Sequence, residues 1–212
     1  MYVEIDVRGS KVKDRMNKMT FEVEVKTPVS DLESIRNALE RIEAQQLNSE
    51  TQADAYYDHP CRAFQETDEA LRLRRRLPYS QEPREHVDES RPLYELTYKG
   101  PKVDPLSKTR IELSVGLFDV ATAKSLLDHL GFRYIAEVVK KRVFYSLEDL
   151  TLSLDEVEGV GNYLEIEQVV ESKELIEPMR DRMFAVLEKL GLDSETSTRS
   201  SYLEMFLGKN PP

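Results

Sequence analysis

From Phe21 to Lys26 the chain reads Phe-Glu-Val-Glu-Val-Lys, and this two-residue period constrains the fold more than any other feature. Alternate side chains of a strand share a face, so Glu22, Glu24 and Lys26 point one way while Phe21, Val23 and Val25 point the other. The division recurs down the chain. Gln52–Asp58 sets Gln52, Asp54, Tyr56 and Asp58 on one parity, and Ala70–Leu77 sets Arg72, Arg74 and Arg76 against Leu71 and Leu73. Leu93–Lys99 keeps Glu95, Thr97 and Lys99 in phase, and Thr109–Val115 keeps Arg110 and Glu112 in phase with Ser114. Phe132–Tyr145 carries Lys140 and Arg142, and a hairpin of Thr151–Asp155 with Tyr163–Val169 adds Asp155, Glu165 and Glu167. The opposite parity is apolar, as in Val23, Leu71, Leu73, Leu96, Ile111, Leu113, Leu152, Leu154, Leu164 and Ile166, and must pack under helices. For any single strand, an open sheet with ion pairs on its wet face accounts for the pattern. Over about eight antiparallel strands, an apolar outside and a charged inside predict a β-barrel with a charged lumen and flanking helices, an α+β fold.

The helices follow from caps and stripes. Ser30 with Glu33 three residues on reads as a capping box, and Leu32, Ile35, Leu39 and Ile42 mark one apolar stripe. Asp119 caps a second helix whose Val120, Ala123, Leu127 and Leu130 face inward and which Gly131 ends. A third runs from about Glu174 to Leu190 with Met179, Met183, Val186 and Leu190 as its stripe, and Ser200–Leu207 forms a short fourth. Residues 1–18 read as an extension with a brief Glu4, Asp6, Arg8 alternation that Gly9-Ser10 ends, and residues 19–212 as one domain. Pro78–Pro92, with three prolines, reads as a long exposed loop.

Composition limits the partners. The formal net charge of −10 opposes general affinity for nucleic acid or an anionic membrane, so any polyanion must be bound locally. No apolar run approaches the ~18 residues of a membrane helix. The single cysteine, Cys61, excludes an internal disulfide and fits a cytoplasmic setting. His59, His86 and His129 lack zinc-ligand spacing.

A closed lumen lined by so many charges needs mutual pairing or a guest of matching charge. A triphosphate with one or two divalent cations is such a guest, because Arg and Lys grip phosphate oxygens and carboxylates prefer hard cations. Tyr56 and Tyr57 are candidates to stack on a base, with core or rim packing as the alternative.

The ordered set Glu22-Val-Glu-Val-Lys26, Tyr56-Tyr57-Asp58, Ala70-Leu-Arg72-Leu-Arg74, Leu96-Thr-Tyr-Lys99-Gly100, Arg110-Ile-Glu112, Lys140-Lys-Arg142 and Leu154-Asp155 with Gly161 and Glu165-Ile-Glu167 resembles the CYTH or triphosphate tunnel metalloenzyme family, from about Thr20 to Leu207. Within it, the Leu154–Gly161 spacing and Ser201-Tyr202-Leu203-Glu204 look most like the class IV adenylyl cyclase branch. The resemblance implies an eight-stranded antiparallel tunnel whose members cleave or rearrange triphosphates with Mg²⁺ or Mn²⁺. It implies metal ligation by Glu22, Glu24, Asp155, Glu165 and Glu167, and triphosphate binding by Lys26, Arg72, Arg74, Lys99, Arg110, Lys140 and Arg142. Glu22, Glu24, Lys26, Glu165 and Glu167 would form the catalytic set, with Glu95 and Glu112 left to pair with neighbouring cations. It further implies a homodimer that converts ATP to cyclic AMP and pyrophosphate. Hydrolysis of inorganic or thiamine triphosphate, and non-enzymatic phosphate binding, stand as alternatives. Removing Glu22, Glu165 or Glu167 is expected to stop turnover with little loss of fold.

Overall fold

The computed structural model describes residues 20–78 and 93–209. The N-terminal extension and nearly all of the proline-rich loop lie outside these residues. The eight expected strands are present: β1 (Phe21–Pro28), β2 (Gln45–Asp58), β3 (Ala70–Pro78), β4 (Tyr94–Lys99), β5 (Glu112–Leu117), β6 (Arg133–Leu147), β7 (Leu150–Val157) and β8 (Gly161–Val170). They form one antiparallel sheet in the order β1-β8-β7-β6-β2-β3-β4-β5. The sheet curls until its two edges meet. Glu22 and Arg110 exchange backbone hydrogen bonds of 3.0 and 3.2 Å, and the Lys108 amide donates to the Glu24 carbonyl at 2.9 Å. Arg110 thus sits in this bridge rather than within β5, which begins at Glu112, three residues later than a strand from Thr109 would.

Four helices accompany the sheet: α1 (Leu32–Arg41), α2 (Val120–His129), α3 (Ile176–Lys189, after a 3-10 turn at Lys173–Leu175) and α4 (Tyr202–Lys209). The α1 cap is Asp31, whose carboxylate accepts from the Glu33 amide at 3.0 Å; Ser30 lies one residue too early for that role. Ile35, Ala38 and Leu39 of α1 and Met183, Val186 and Leu187 of α3 pack on the outward residues of β1, β7 and β8, among them Val23, Val25, Leu152, Leu164 and Ile166. Met183 and Leu187 are sealed from solvent, each contributing on the order of 1.5–3 kcal/mol of burial. On the far side Leu127 of α2 covers Leu71 and Leu73.

Two outward expectations fail there. Leu130 is 64% exposed at the α2 C-cap, and Leu113 is 58% exposed because no helix among the described residues covers that side chain.

The third apolar cluster is inside the curl. Tyr56, Val138 and Val157 share the inward parity, and α4 brings Tyr202, Leu203 and Phe206 against them. One end of the lumen is therefore stoppered by an apolar plug, which leaves the charged stretch above it. Among the described residues no helix is long and apolar enough to cross a membrane.

Candidate functional site

The lumen is a cavity of about 840 Å³. Its wall includes Glu22, Glu24, Arg72, Arg74, Arg76, Glu95, Lys99, Lys108, Arg110, Glu112, Lys140, Arg142, Glu165 and Glu167. The two-residue period puts each of these on the concave face, and strand register decides which become neighbours. Pairing of β1 with β8 sets Glu24 opposite Glu167 and Lys26 opposite Glu165, and pairing of β2 with β3 sets Asp54 opposite Arg74.

The basic wall is held by carboxylates behind it. Asp54 accepts both forks of Arg74, at 2.7 and 2.8 Å, and lies 3.5 Å from the Lys140 ammonium. Burial alone would raise the Asp54 carboxyl, but Arg74 and Lys140 overcome it and hold it well below the usual carboxylate range. Lys140 moves the other way. Burial and the adjacent Arg142 cation lower its ammonium to about 7, with Asp54 only partly compensating. Arg72 donates to Thr97 at 3.2 Å and lies 3.5 Å from Glu95, while its buried Nε finds no acceptor among the described residues. The buried Nε of Arg110 also lacks one, and its guanidinium reaches Asp68 only at 3.7 Å.

Lys26 and Asp155 sit deeper than their sequence pattern implied. Both are sealed from solvent and neither lines the cavity. Lys26 contacts Glu165 at 3.0 Å, Glu24 at 3.5 Å and the Ser200 carbonyl at 3.3 Å, with its ammonium 3.9 Å from the centre of the Tyr202 ring. Asp155 accepts from Arg142 at 2.6 Å and from the Tyr202 hydroxyl at 2.7 Å. Arg142 bridges from Asp155 to Glu165. Burial would raise the Glu165 carboxyl, yet Lys26 and Arg142 hold it well below its ordinary value. In this arrangement Lys26 and Asp155 brace the wall, and of the cations expected to bind triphosphate, Arg72, Arg74, Lys99, Arg110, Lys140 and Arg142 face the cavity.

The sequence reading passed over Lys108, which directly precedes the Thr109–Val115 stretch. Its ammonium lies 2.9 and 3.0 Å from the two Glu24 oxygens, and the pull of Glu24 and Glu165 outweighs burial to raise it. The available signal was parity, since Lys108 is in phase with Arg110 and Glu112. Arg76, read in phase with Arg72 and Arg74, also lines the cavity and pairs with Glu95 at 3.1 Å.

The acids divide into two groups. Glu24, Asp155 and Glu165 are matched by cations at contact distance. Glu22, Glu112 and Glu167 are not matched one for one. Lys99 pairs with Glu112 and is 4.0 Å from Glu22. Burial and the Glu112 charge raise the Glu22 carboxyl well above its usual range, whereas Lys99 overcomes burial to lower Glu112. Glu167 is raised by burial and by Glu165, Glu24 and Glu112, against the opposing pull of Arg142. Buried carboxylates faced by too few cations are the hard oxygen donors a divalent cation prefers, so the donor set fits Mg²⁺ or Mn²⁺. Among the described residues no three acid or histidine side chains already converge on one point in ligand geometry.

The CYTH domain model matches residues 20–202. The chain belongs to the CYTH family. Among curated relatives, the Methanocaldococcus jannaschii protein named "Putative adenylate cyclase MJ0240" is 33% identical over 185 residues, covering 87% of this chain and 98% of that protein. The adenylate cyclase CyaB of Aeromonas hydrophila is 26% identical, covering 86% of each chain. Among solved structures, the PH1819 protein of Pyrococcus horikoshii OT3 superposes with a TM-score of 0.77 at 38% identity, covering 89% of this chain and 99% of that one. CYTH membership agrees with the curled eight-stranded sheet and with the order of its charged motifs.

Proposed function

We propose that this protein is a metal-dependent enzyme that takes the triphosphate of ATP into its lumen and acts as an adenylyl cyclase, releasing cyclic AMP and pyrophosphate. The observation that carries the triphosphate reading is one cavity in which cations with unsatisfied donors face carboxylates with too few cations. The buried Nε groups of Arg72 and Arg110 each lack an acceptor that a phosphate oxygen would supply. The choice of cyclase within that reading is supported by the names of the curated relatives.

Arg72, Arg74 and Arg142 are fixed by their neighbours, and the N–H groups those neighbours leave over need not reorganise when phosphate arrives. Lys140 takes up a proton as the polyanion enters, because the anion favours the charged ammonium. Lys99, Arg110 and Lys140 then balance the charge that grows on pyrophosphate as the bond from the 3′-oxygen to the α-phosphorus forms and the bond to the leaving oxygen breaks. Glu22, Glu112 and Glu167 would hold Mg²⁺ or Mn²⁺, with Glu24 and Glu165 beside them. When bound, the metal supplies charge neutralisation at the phosphate oxygens and lowers the pKa of an attacking hydroxyl. Tyr202 and the α4 plug keep bulk water from one end of the lumen.

Hydrolysis of the same substrate, or of inorganic or thiamine triphosphate, is the second reading. It is favoured by a charged wall that serves phosphates equally well whatever they are attached to. A phosphate-binding module without chemistry accounts poorly for Glu22, Glu112 and Glu167, which would repel the ligand. The test is incubation with ATP and Mn²⁺ followed by chromatographic identification of products. Cyclic AMP with pyrophosphate is expected; ADP with phosphate would replace the cyclase by the hydrolase.

A further inference from the structure

One carboxylate of the acid set is already occupied. The Lys108 ammonium lies 2.9 and 3.0 Å from the two Glu24 oxygens, so it straddles the carboxylate where a cation held by both oxygens would sit. Lys26 adds a contact to one of those oxygens at 3.5 Å. The Lys108 and Glu24 side chains border the lumen yet are only 8% and 5% exposed. Water therefore replaces neither partner cheaply, and whatever takes Glu24 must first displace an ammonium.

The backbone under Lys108 is pinned, so only its side chain can yield. Its amide donates to the Glu24 carbonyl at 2.9 Å, which lays the 100–110 connection across β1. Just before it, Asp104 accepts from the Ser107 hydroxyl at 2.8 Å and from the Arg180 guanidinium of α3 at 3.0 Å. The Ser107 hydroxyl also pairs with that of Thr109 at 2.6 Å, and Arg199 donates to the Ser107 carbonyl at 3.2 Å. None of Asp104, Ser107, Thr109, Arg180 and Arg199 borders the lumen, so these contacts aim Lys108 at Glu24 without meeting a ligand themselves. From that fixed base a flexible four-carbon stem lets the ammonium swing.

We infer that Lys108 is a built-in counter-ion that guards Glu24: it holds the carboxylate in place of a divalent cation in the ligand-free protein and releases it when a phosphate can take the ammonium. The inference deepens the proposed function and rests on its reading of a metal-dependent triphosphate site. A buried ammonium without a partner is costly, so a divalent cation arriving alone gains Glu24 only by stranding Lys108. A triphosphate that carries its own cation settles both charges at once, because the freed ammonium meets phosphate oxygens. The guard thus makes the protein select the metal–triphosphate complex over the bare metal.

Equilibrium dialysis of Mn²⁺ against the substrate-free protein reads this without turnover. Lys108→Met is expected to tighten Mn²⁺ binding roughly ten-fold or more, and Lys108→Gln, which keeps a donor for Glu24 but removes the charge, roughly five-fold or more. In a Glu24→Gln background Lys108→Met should change Mn²⁺ affinity by less than about two-fold, since the carboxylate it guards is gone. Unchanged affinity in both Lys108 variants would overturn the guard. So would equal tightening with and without the Glu24 carboxylate, which would reduce Lys108 to one positive charge among many. Mn²⁺ retained in either case would leave the metal reading intact. Failure of the unaltered protein and both variants to retain Mn²⁺, with inorganic triphosphate as well as without it, would overturn the guard and the metal reading together.

Discussion

Replacing Lys140 by Met should make the ligand-free protein more stable while it weakens triphosphate binding. The Lys140 side chain is buried, close to Arg142 and Arg74, with Asp54 as its nearest anion at 3.5 Å, and Asp54 already holds Arg74 through two hydrogen bonds. Lowering an ammonium from its ordinary 10.5 to about 7 corresponds to roughly 5 kcal/mol against the charged form. The weakened Asp54 contact returns part of that, so a net gain of about 2–3 kcal/mol is expected at pH 6, or roughly 4–12 °C in Tm for a chain of this size. The pH dependence has a definite sign. Between about 7 and 10.5 the unfolded chain keeps the Lys140 proton and the folded chain does not, so the unaltered protein gains stability as pH rises through that window. The advantage of the variant should thus be full below pH 7 and shrink toward pH 10. Calorimetric melting of both proteins from pH 6 to 10 measures it. A variant less stable at pH 6, or a difference flat across the range, would refute the reasoning.

Three other outcomes follow from the same charges. Glu165→Gln should cost about 3–5 kcal/mol, because it strips a buried partner from both Lys26 and Arg142; this departs from the expectation that Glu165 can be removed with little loss of fold, and an unchanged denaturation midpoint would contradict it. Glu22→Gln, by contrast, relieves repulsion with Glu112 and Glu167, so the midpoint should hold or rise while turnover falls at least a hundred-fold. Excess chelator should abolish turnover and restored Mn²⁺ should recover it; full activity in chelator would remove the metal from the account. The exposed Leu113, Val115 and Phe118 on and beside β5 leave an apolar strip for a second copy, so light scattering should give about twice 24.6 kDa, and a mass of one chain at every concentration would refute the dimer.

Strand parity was readable because it depends on two-residue spacing alone, and it placed Glu22, Glu24, Arg72, Arg74, Lys99, Lys140, Arg142, Glu165 and Glu167 on one wall before any pairing was known. Which charge meets which was not readable. That Asp54 takes Arg74, or that Glu24 takes Lys108, depends on register and on how the 100–110 connection folds across β1. The depth of Lys26 and Asp155 was hidden for a related reason. Both are sealed by Tyr202, which comes from the far end of the chain, and no local pattern shows where α4 docks. The exposure of Leu113 has the same origin, since alternation identifies an apolar face but not whether a helix covers it. The bulge at Ile135 was hidden as well, since a one-residue slip in a long strand leaves no mark in its composition.

The account is tested most directly by giving the protein, with Mn²⁺, a triphosphate that lacks the attacking group. In 3′-deoxy-ATP the phosphates that Arg72, Arg74, Lys99 and Lys140 would contact are intact and the 3′-hydroxyl is gone. The measurement is binding by calorimetry together with product analysis of the same mixture. The account predicts affinity close to that for ATP, with neither cyclic nucleotide nor phosphate or pyrophosphate released. Steady phosphate release from the deoxy analogue, at a rate like that from ATP, would contradict it and make water the nucleophile.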